Sequence, residues 1–201
     1  MATLDTIRLQ VQAEIPSCLP TTIDAAIIDA CRTFSLDTGV IKSDITVPTV
    51  IGTRTYAVAP AAGSETLRVT AVLNGVTELR PTENCITSRN TATRGKPTHF
   101  WFVDSLLYLY PIPDAVYSLV VEAVIQPVIA ATTLDTKFTP YSEALGYLAL
   151  HKLKATSGQP WTDPSGAAFN YQRYMVLSGG FQIAAAMVNS TLPLRVKSNF
   201  F

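Results

Sequence analysis

Two histidines, His99 and His151, and three cysteines, Cys18, Cys31 and Cys85, are the side chains of this 201-residue sequence best suited to nucleophilic, acid–base or metal chemistry. Their spacing supports none of it. A zinc site needs clustered Cys, His or carboxylate ligands, and neither C-x-x-C nor H-E-x-x-H occurs. A glycine-rich phosphate loop and the G-x-S-x-G nucleophile turn are also missing. A Ser–His–Asp site would have to gather from distant residues, for example around His99 and Asp104, and no local motif points there. His99 precedes an aromatic run on a predicted strand. His151 lies late in a predicted helix, where a cation complements the helix dipole. Both read as structural. No catalytic residue, cofactor site or metal ligand is assigned, and an enzyme is not expected. The cysteines are odd in number and unpaired in spacing, as in a protein made and kept in a reducing cytosol.

Binding chemistry has two candidates. Phe100, Trp101 and Phe102, with Tyr108 and Tyr110 across a turn, could stack bases or sugars. Strand neighbours alternate faces, so at most half of them share a surface, and cross-strand aromatic pairs are common core material. Core packing is the preferred reading. A glycan- or peptide-binding module built on the Phe100–Tyr110 hairpin is the alternative function. Arg89, Arg94 and Lys96 cluster in a loop. They read either as an ordinary exposed loop or as a contact to a tail partner or to DNA phosphates, which would be blind to base sequence.

Composition narrows the choice. Fifteen basic and fifteen acidic residues cancel, so no global field holds nucleic acid or an anionic membrane. Charged residues make up 15% and hydrophobic ones 48%, where roughly 25% charged is usual. Sparse charge suits a subunit that hides surface in an assembly. The first fifteen residues carry early acids and do not read as a secretory leader. Apolar runs stay well short of the ~18 residues of a membrane span.

The elements that must position these residues are legible from periodicity. Leu4, Ile7, Val11 and Ile15 predict a helix over 3–15. Thr22 as cap and Ile23, Ala26, Ile27, Ala30 and Phe34 as stripe predict another over 22–38, ended by Gly39. Five carboxylates (Asp5, Glu14, Asp24, Asp29, Asp37) face only Arg8 and Arg32 there, which reads as a solvated face or an acidic rim. From Val40 to Pro127 the Val, Thr, Ile and Tyr content predicts antiparallel strands near 43–48, 53–59, 66–73, 76–80, 98–103, 106–110 and 117–125. Asn74-Gly75 predicts a type I′ hairpin turn. Asp104-Ser105 is a less favourable turn pair. A single helical turn is predicted over 83–88.

Thr139-Pro140 and Asp163-Pro164 each set a capping side chain before a proline, predicting two more helices. The second, over 164–189, would be ~39 Å long. Ser178-Gly179-Gly180 interrupts it and predicts a kink or a close backbone approach. Tyr141, Ala144, Leu145, Tyr147, Leu148, Ala149, Leu150 and Leu153 nearly encircle the first of the pair. A helix apolar on several faces must be covered on several faces, which points to a neighbouring subunit. The layout is α+β: a helical bundle from 1–39 and 128–189, an inserted antiparallel β-domain over 40–127, and a C-terminal arm over 190–201.

Three stretches taken together resemble the head-to-tail adaptors, or connectors, of tailed phages, and most of all the tail tubular protein A-like adaptors of short-tailed phages. They are FWFVDSLLYLYPIPD at 100–114 followed by YSLVVEAVIQP, YSEALGYLALHKLKA at 141–155, and GQPWTDPSGAAFNYQRYMVL at 158–177. Asp104-Ser105 stands where a glycine turn would be expected. The resemblance implies a virion structural protein that forms a ring, typically twelve-fold, beneath the portal protein. It further implies a platform for a tail nozzle or tail fibre protein, a channel for passing genomic DNA, and no membrane partner. On that basis Tyr141, Leu145, Leu148, Tyr171 and Met175 are expected at the subunit interface. Leu192, Leu194, Arg195, Val196, Lys197, Phe200 and Phe201 are expected to form a portal-binding arm that orders on its partner.

Overall fold

The computed structural model describes residues 2–82 and 93–189. It is mixed α+β, with helices at both ends of the described chain and two sheets between them. Helix α1 spans Ala2–Glu14 and α2 spans Pro20–Thr38. Helix α2 starts earlier than Thr22 because Pro20 occupies its first turn, and Leu19 is the cap residue without a side-chain bond. Its end is as read: Gly39 takes φ 62°, and its N–H donates to the Ser35 carbonyl. The Arg68 guanidinium fills the space that a Cβ at Gly39 would need, so glycine is required there twice over.

Eight strands follow among the described residues: β1 Lys42–Pro48, β2 Thr55–Ala57, β3 Ser64–Asn74, β4 Thr77–Glu78, β5 Arg80–Pro81, β6 His99–Val103, β7 Leu106–Tyr110 and β8 Ser118–Pro127. One sheet has the order β1-β8-β3-β4 and the other β2-β7-β6-β5. Pairing is antiparallel except between β5 and β6, which run parallel. Pro48 is the last residue of edge strand β1, where its missing N–H breaks no ladder.

Both hairpin turns differ from expectation in an instructive way. Asn74 still pairs with Thr77, so the turn residues are Gly75 and Val76, and of these Gly75 is at positive φ, 61°. That is the sign pattern of a type II′ turn, with glycine first, in place of type I′. The Asp104-Ser105 turn carries the positive pair instead, at φ 51° and 62°. The short Asp side chain tolerates that region, and the flanking β6–β7 register from His99↔Tyr110 to Val103↔Leu106 holds it there.

The described residues close with a 3-10 segment, Thr136–Tyr141, then α3 over Ser142–Lys154 and α4 over Pro164–Asn189. The expected Thr139-Pro140 start is thus a tighter turn leading in, capped by Asp135, whose carboxylate accepts from the Lys137 N–H at 3.0 Å. At α4 the reading holds: Asp163 Oδ1 accepts from the Gly166 N–H at 3.0 Å. Helix α4 is continuous through Ser178-Gly179-Gly180, and a Cβ at either glycine would meet nothing within 4 Å. Within one chain the pair admits no close backbone, although each glycine costs a helix interior about 1 kcal/mol.

Two hydrophobic clusters form. One gathers Leu4, Ile7, Val11, Ile23, Ile27, Phe34, Leu145, Leu148, Leu150 and Tyr174 from the four helices, with Phe138 and Ile125. The other gathers Val47, Tyr56, Val72, Phe100, Leu107, Leu109, Leu119 and Val121 from the two sheets. Strand β8 joins them. Its first half alternates exposed and buried, as a half-covered strand does; its last five residues are all buried, because α2 lies against that end.

The encircled apolar helix is explained inside one chain, which corrects the expectation of a neighbour around it. Helix α3 packs against α1, α2 and α4. Leu145, Leu148 and Leu153 are 0%, 2% and 5% exposed. Burying each contributes roughly 1.5–3 kcal/mol. At Gly146 the Gln10 side chain of α1 lies directly over the helix backbone.

Candidate interaction surface

The acidic residues of α1 and α2 lie on a solvated face, as read, with Asp24 half-buried, and most of them are paired there. Arg8 donates to Asp24 at 2.6 Å and to Asp5 at 2.7 Å. Lys154 of α3 reaches Glu14 at 2.7 Å, and Lys152 reaches Asp29 and the Thr33 hydroxyl. The basic last turn of α3 was the overlooked partner. These pairs are half open to water and contribute up to about 1 kcal/mol each, so they fix orientation more than stability.

The candidate aromatic platform is consumed by its own neighbours. Trp101 is 6% exposed. One ring face stacks on Tyr108 at 4.9 Å and 12°, and the Arg54 guanidinium lies over the ring at 4.8 Å. Phe100 is buried in the sheet core. The hairpin therefore offers no free aromatic face at Trp101 for a sugar or a base.

The histidines are likewise engaged. The His151 Nδ1 donates to the Ala167 carbonyl at 3.0 Å, pinning α3 to α4, and its ring rests on Tyr171 at 4.8 Å. The His99 Nδ1 lies 2.9 Å from the Thr98 hydroxyl. Among the described residues no three ligating side chains come together. Cys18 and Cys31 are buried free thiols, and burial pushes the Cys31 thiol far up, away from the reactive thiolate. Cys85 lies outside the described residues.

Of the expected loop contacts, Arg94 and Lys96 are exposed, and neither forms an ion pair among the described residues. Arg94 is held by a parallel bridge to Ile112, and its guanidinium lies beside Gly52. Arg89 and the predicted turn at 83–88 lie outside the described residues, as do all seven arm residues from Leu192 to Phe201.

The expected subunit contacts divide. Leu145 and Leu148 have no surface left to offer. Tyr141 belongs to an aromatic cluster, 5.1 Å from Phe34 and edge-on to Phe181 at 4.8 Å. Tyr171 and Met175 remain exposed, at 43% and 51%. A different side of α4, roughly opposite its buried face, carries a stripe that sequence reading passed over. Phe169, Val176 and Ile183 are 54%, 74% and 59% exposed and recur every seven residues along α4. The opposite face, through Ala167, Asn170, Tyr174 and Ser178, is buried in the chain. Two apolar stripes on one helix were the available signal.

Charge does not steer this face, for Arg173 is the one charged residue of α4, and its guanidinium lies 5.3 Å over the Phe169 ring. None of the described helices is long and apolar enough to cross a membrane. The arrangement provides a helix tied to α3 and α2 through His151–Ala167, Tyr174–Asp37 and Gln182–Asp37, with an uncovered apolar stripe that suits docking. No curated protein matches the chain. A family model does, over residues 2–195, and the chain belongs to the SU10 adaptor protein family.

Proposed function

We propose that this chain is a virion component of a tailed phage: a head-to-tail adaptor of the tail tubular protein A-like kind. Copies form a ring, twelve-fold in the resembling adaptors, between the portal protein and a tail nozzle or fibre protein. The observation that carries this reading is the adaptor-family match across 2–195. Three features support it. The separate helical and sheet clusters favour reading the chain as a bundle, 1–39 with 128–189, and a β-domain, 40–127, with Ile41 and Ile125 of the latter packed into the helical cluster. Tyr171 and Met175 leave apolar surface for a neighbour, and a head-to-tail contact repeated around an axis closes a ring. Fifteen charges of each sign suit a channel that passes DNA without gripping it. In this reading the arm, 190–201, binds the portal, and Arg94 and Lys96 face the tail or the DNA.

Removing residues 190–201 tests the arm. Portal affinity should fall while the melting temperature holds. Unchanged affinity, or loss of the fold, contradicts the assignment.

A further inference from the structure

Strand register gives the β1-β8-β3-β4 sheet two different ends. At one, Lys42 pairs with Val124 and Ser64 with Pro127, and this is the fully buried end of β8. At the other, Pro48 pairs with Ser118 and Asn74 with Leu119. The connections leaving this far end carry Val50, Ile51, Val76 and Val116, all exposed. Exposed aliphatics scattered singly are ordinary; these four share one end of one sheet.

The loops that carry three of them are pinned together. Tyr56 has a buried ring, and its hydroxyl accepts from the Val50 N–H at 3.1 Å and donates to the Thr53 carbonyl at 2.7 Å. The Thr49 N–H donates to the Tyr117 carbonyl at 2.8 Å, while its hydroxyl accepts from the Tyr117 N–H at 2.7 Å and donates to the Ala115 carbonyl at 3.2 Å. The Gly52 N–H donates to the Pro113 carbonyl at 2.9 Å. Residues 49–53 and 113–117 are thus one unit, with Val50, Ile51 and Val116 fixed on its outside. Loops already held in one conformation lose little freedom on docking, which favours a protein contact.

Arg94 gives this tip a sign. Its guanidinium lies beside Gly52, and the Gly95 N–H bonds the Ile112 carbonyl at 2.9 Å. Arg94 and Lys96 are exposed and form no ion pair among the described residues. Against them the joined loops carry one acid, Asp114, which already accepts from the Tyr117 hydroxyl at 2.7 Å. Glu78 stands on β4, at the opposite edge of the sheet from β1. Phosphates would use the two cations and leave the aliphatic side chains without a role. Two copies meeting tip to tip would set like charges opposite one another, which costs affinity. An apolar centre beside unpaired cations is complementary to a protein surface with an apolar hollow and a carboxylate rim.

We infer that the pinned loops at the far end of the β-domain, through Val50, Ile51, Val116 and Arg94, dock a partner protein that presents an apolar hollow rimmed by carboxylates. This rests on the adaptor reading, in which that partner is the tail nozzle or fibre protein, and it assigns Arg94 to protein and not to DNA.

Portal particles carrying a ring of this chain, titrated with the purified nozzle and fibre proteins of the same phage in turn and followed by sedimentation velocity, test this. Ile51→Ser and Val116→Ser shorten exposed side chains and should leave the melting temperature and ring formation on the portal unchanged. Each should weaken uptake of the tail protein ~10-fold. Arg94→Glu should weaken it at least as much, and raising the salt should weaken wild-type uptake more than that of this variant. A portal that stays bare of wild-type chain overturns the adaptor reading, and this inference falls with it. Wild-type rings that form but take up neither protein overturn this inference alone, as do rings of all three variants that take one up as tightly as the wild type. A free chain that binds duplex DNA or anionic vesicles through Arg94, unaffected by I51S and V116S, would also overturn it.

Discussion

The Tyr174 hydroxyl donates to Asp37 Oδ2 at 2.8 Å, tying the middle of α4 to the last turn of α2. A carboxylate at a helix C-terminus opposes the helix dipole, so Asp37 needs a compensating donor. It has this one, and its backbone carbonyl also accepts from Gln182 Nε2 at 2.8 Å. Burial first, then the bond to Asp37, pushes the Tyr174 phenol well above its ordinary range, so it stays protonated and donating. Tyr174→Phe should cost about 1 kcal/mol by urea denaturation. It should also loosen α4 against α2, seen as faster amide exchange in α4. An unchanged midpoint would remove this bond from the account of how α4 is held.

Leu148→Ala should destabilise the isolated chain by about 2–5 kcal/mol, because the residue is buried between helices of one subunit and leaves a cavity. Chemical denaturation at low protein concentration measures this. A loss that appears only in an assembled form would restore Leu148 to a subunit interface.

Ser105→Gly should stabilise the chain by about 0.5–1 kcal/mol, since Ser105 holds φ 62° at the β6–β7 turn and glycine adopts that region without a Cβ penalty. The thermal midpoint should rise. A fall would mean that the serine hydroxyl makes a bond worth more than the strain it carries.

Acid should weaken the junction between α2 and the β1-β8-β3-β4 sheet. Arg32 holds the Glu65 carboxyl below its usual 4.5, helped by Gln126, and Lys42 with Thr70 does the same to Glu122. A depressed folded value stabilises above the unfolded value and is lost as pH falls through the folded one. Stability should therefore be level above about pH 5 and decline below 4.5. Glu65→Gln should make that decline shallower. A variant as steep as the wild type would place the acid sensitivity elsewhere.

Much of this fold is legible in the sequence. The stripe Ile23, Ile27, Ala30, Phe34 and the caps Gly39 and Asp163 act locally, so periodicity and turn chemistry expose them. What escaped depends on partners far along the chain. Whether Leu145 faces a neighbour or its own α1 cannot be read from α3 alone; the answer is Gln10 lying across Gly146. Lys152 and Lys154 look like solvated charges until the fold brings them to Asp29 and Glu14. At Asn74 the strand register outranked the preferred turn pair by one residue. The exposed stripe Phe169, Val176, Ile183 was visible as spacing, but only burial of the opposite face separates it from core.

As a proposed head-to-tail adaptor, this chain should assemble on a portal. Native mass spectrometry of the purified chain mixed with the portal oligomer of the same phage tests it most directly. Portal particles carrying a closed, stoichiometric ring of this chain, twelve copies on a twelve-fold portal, are expected. A portal that stays bare beside free chain would contradict it.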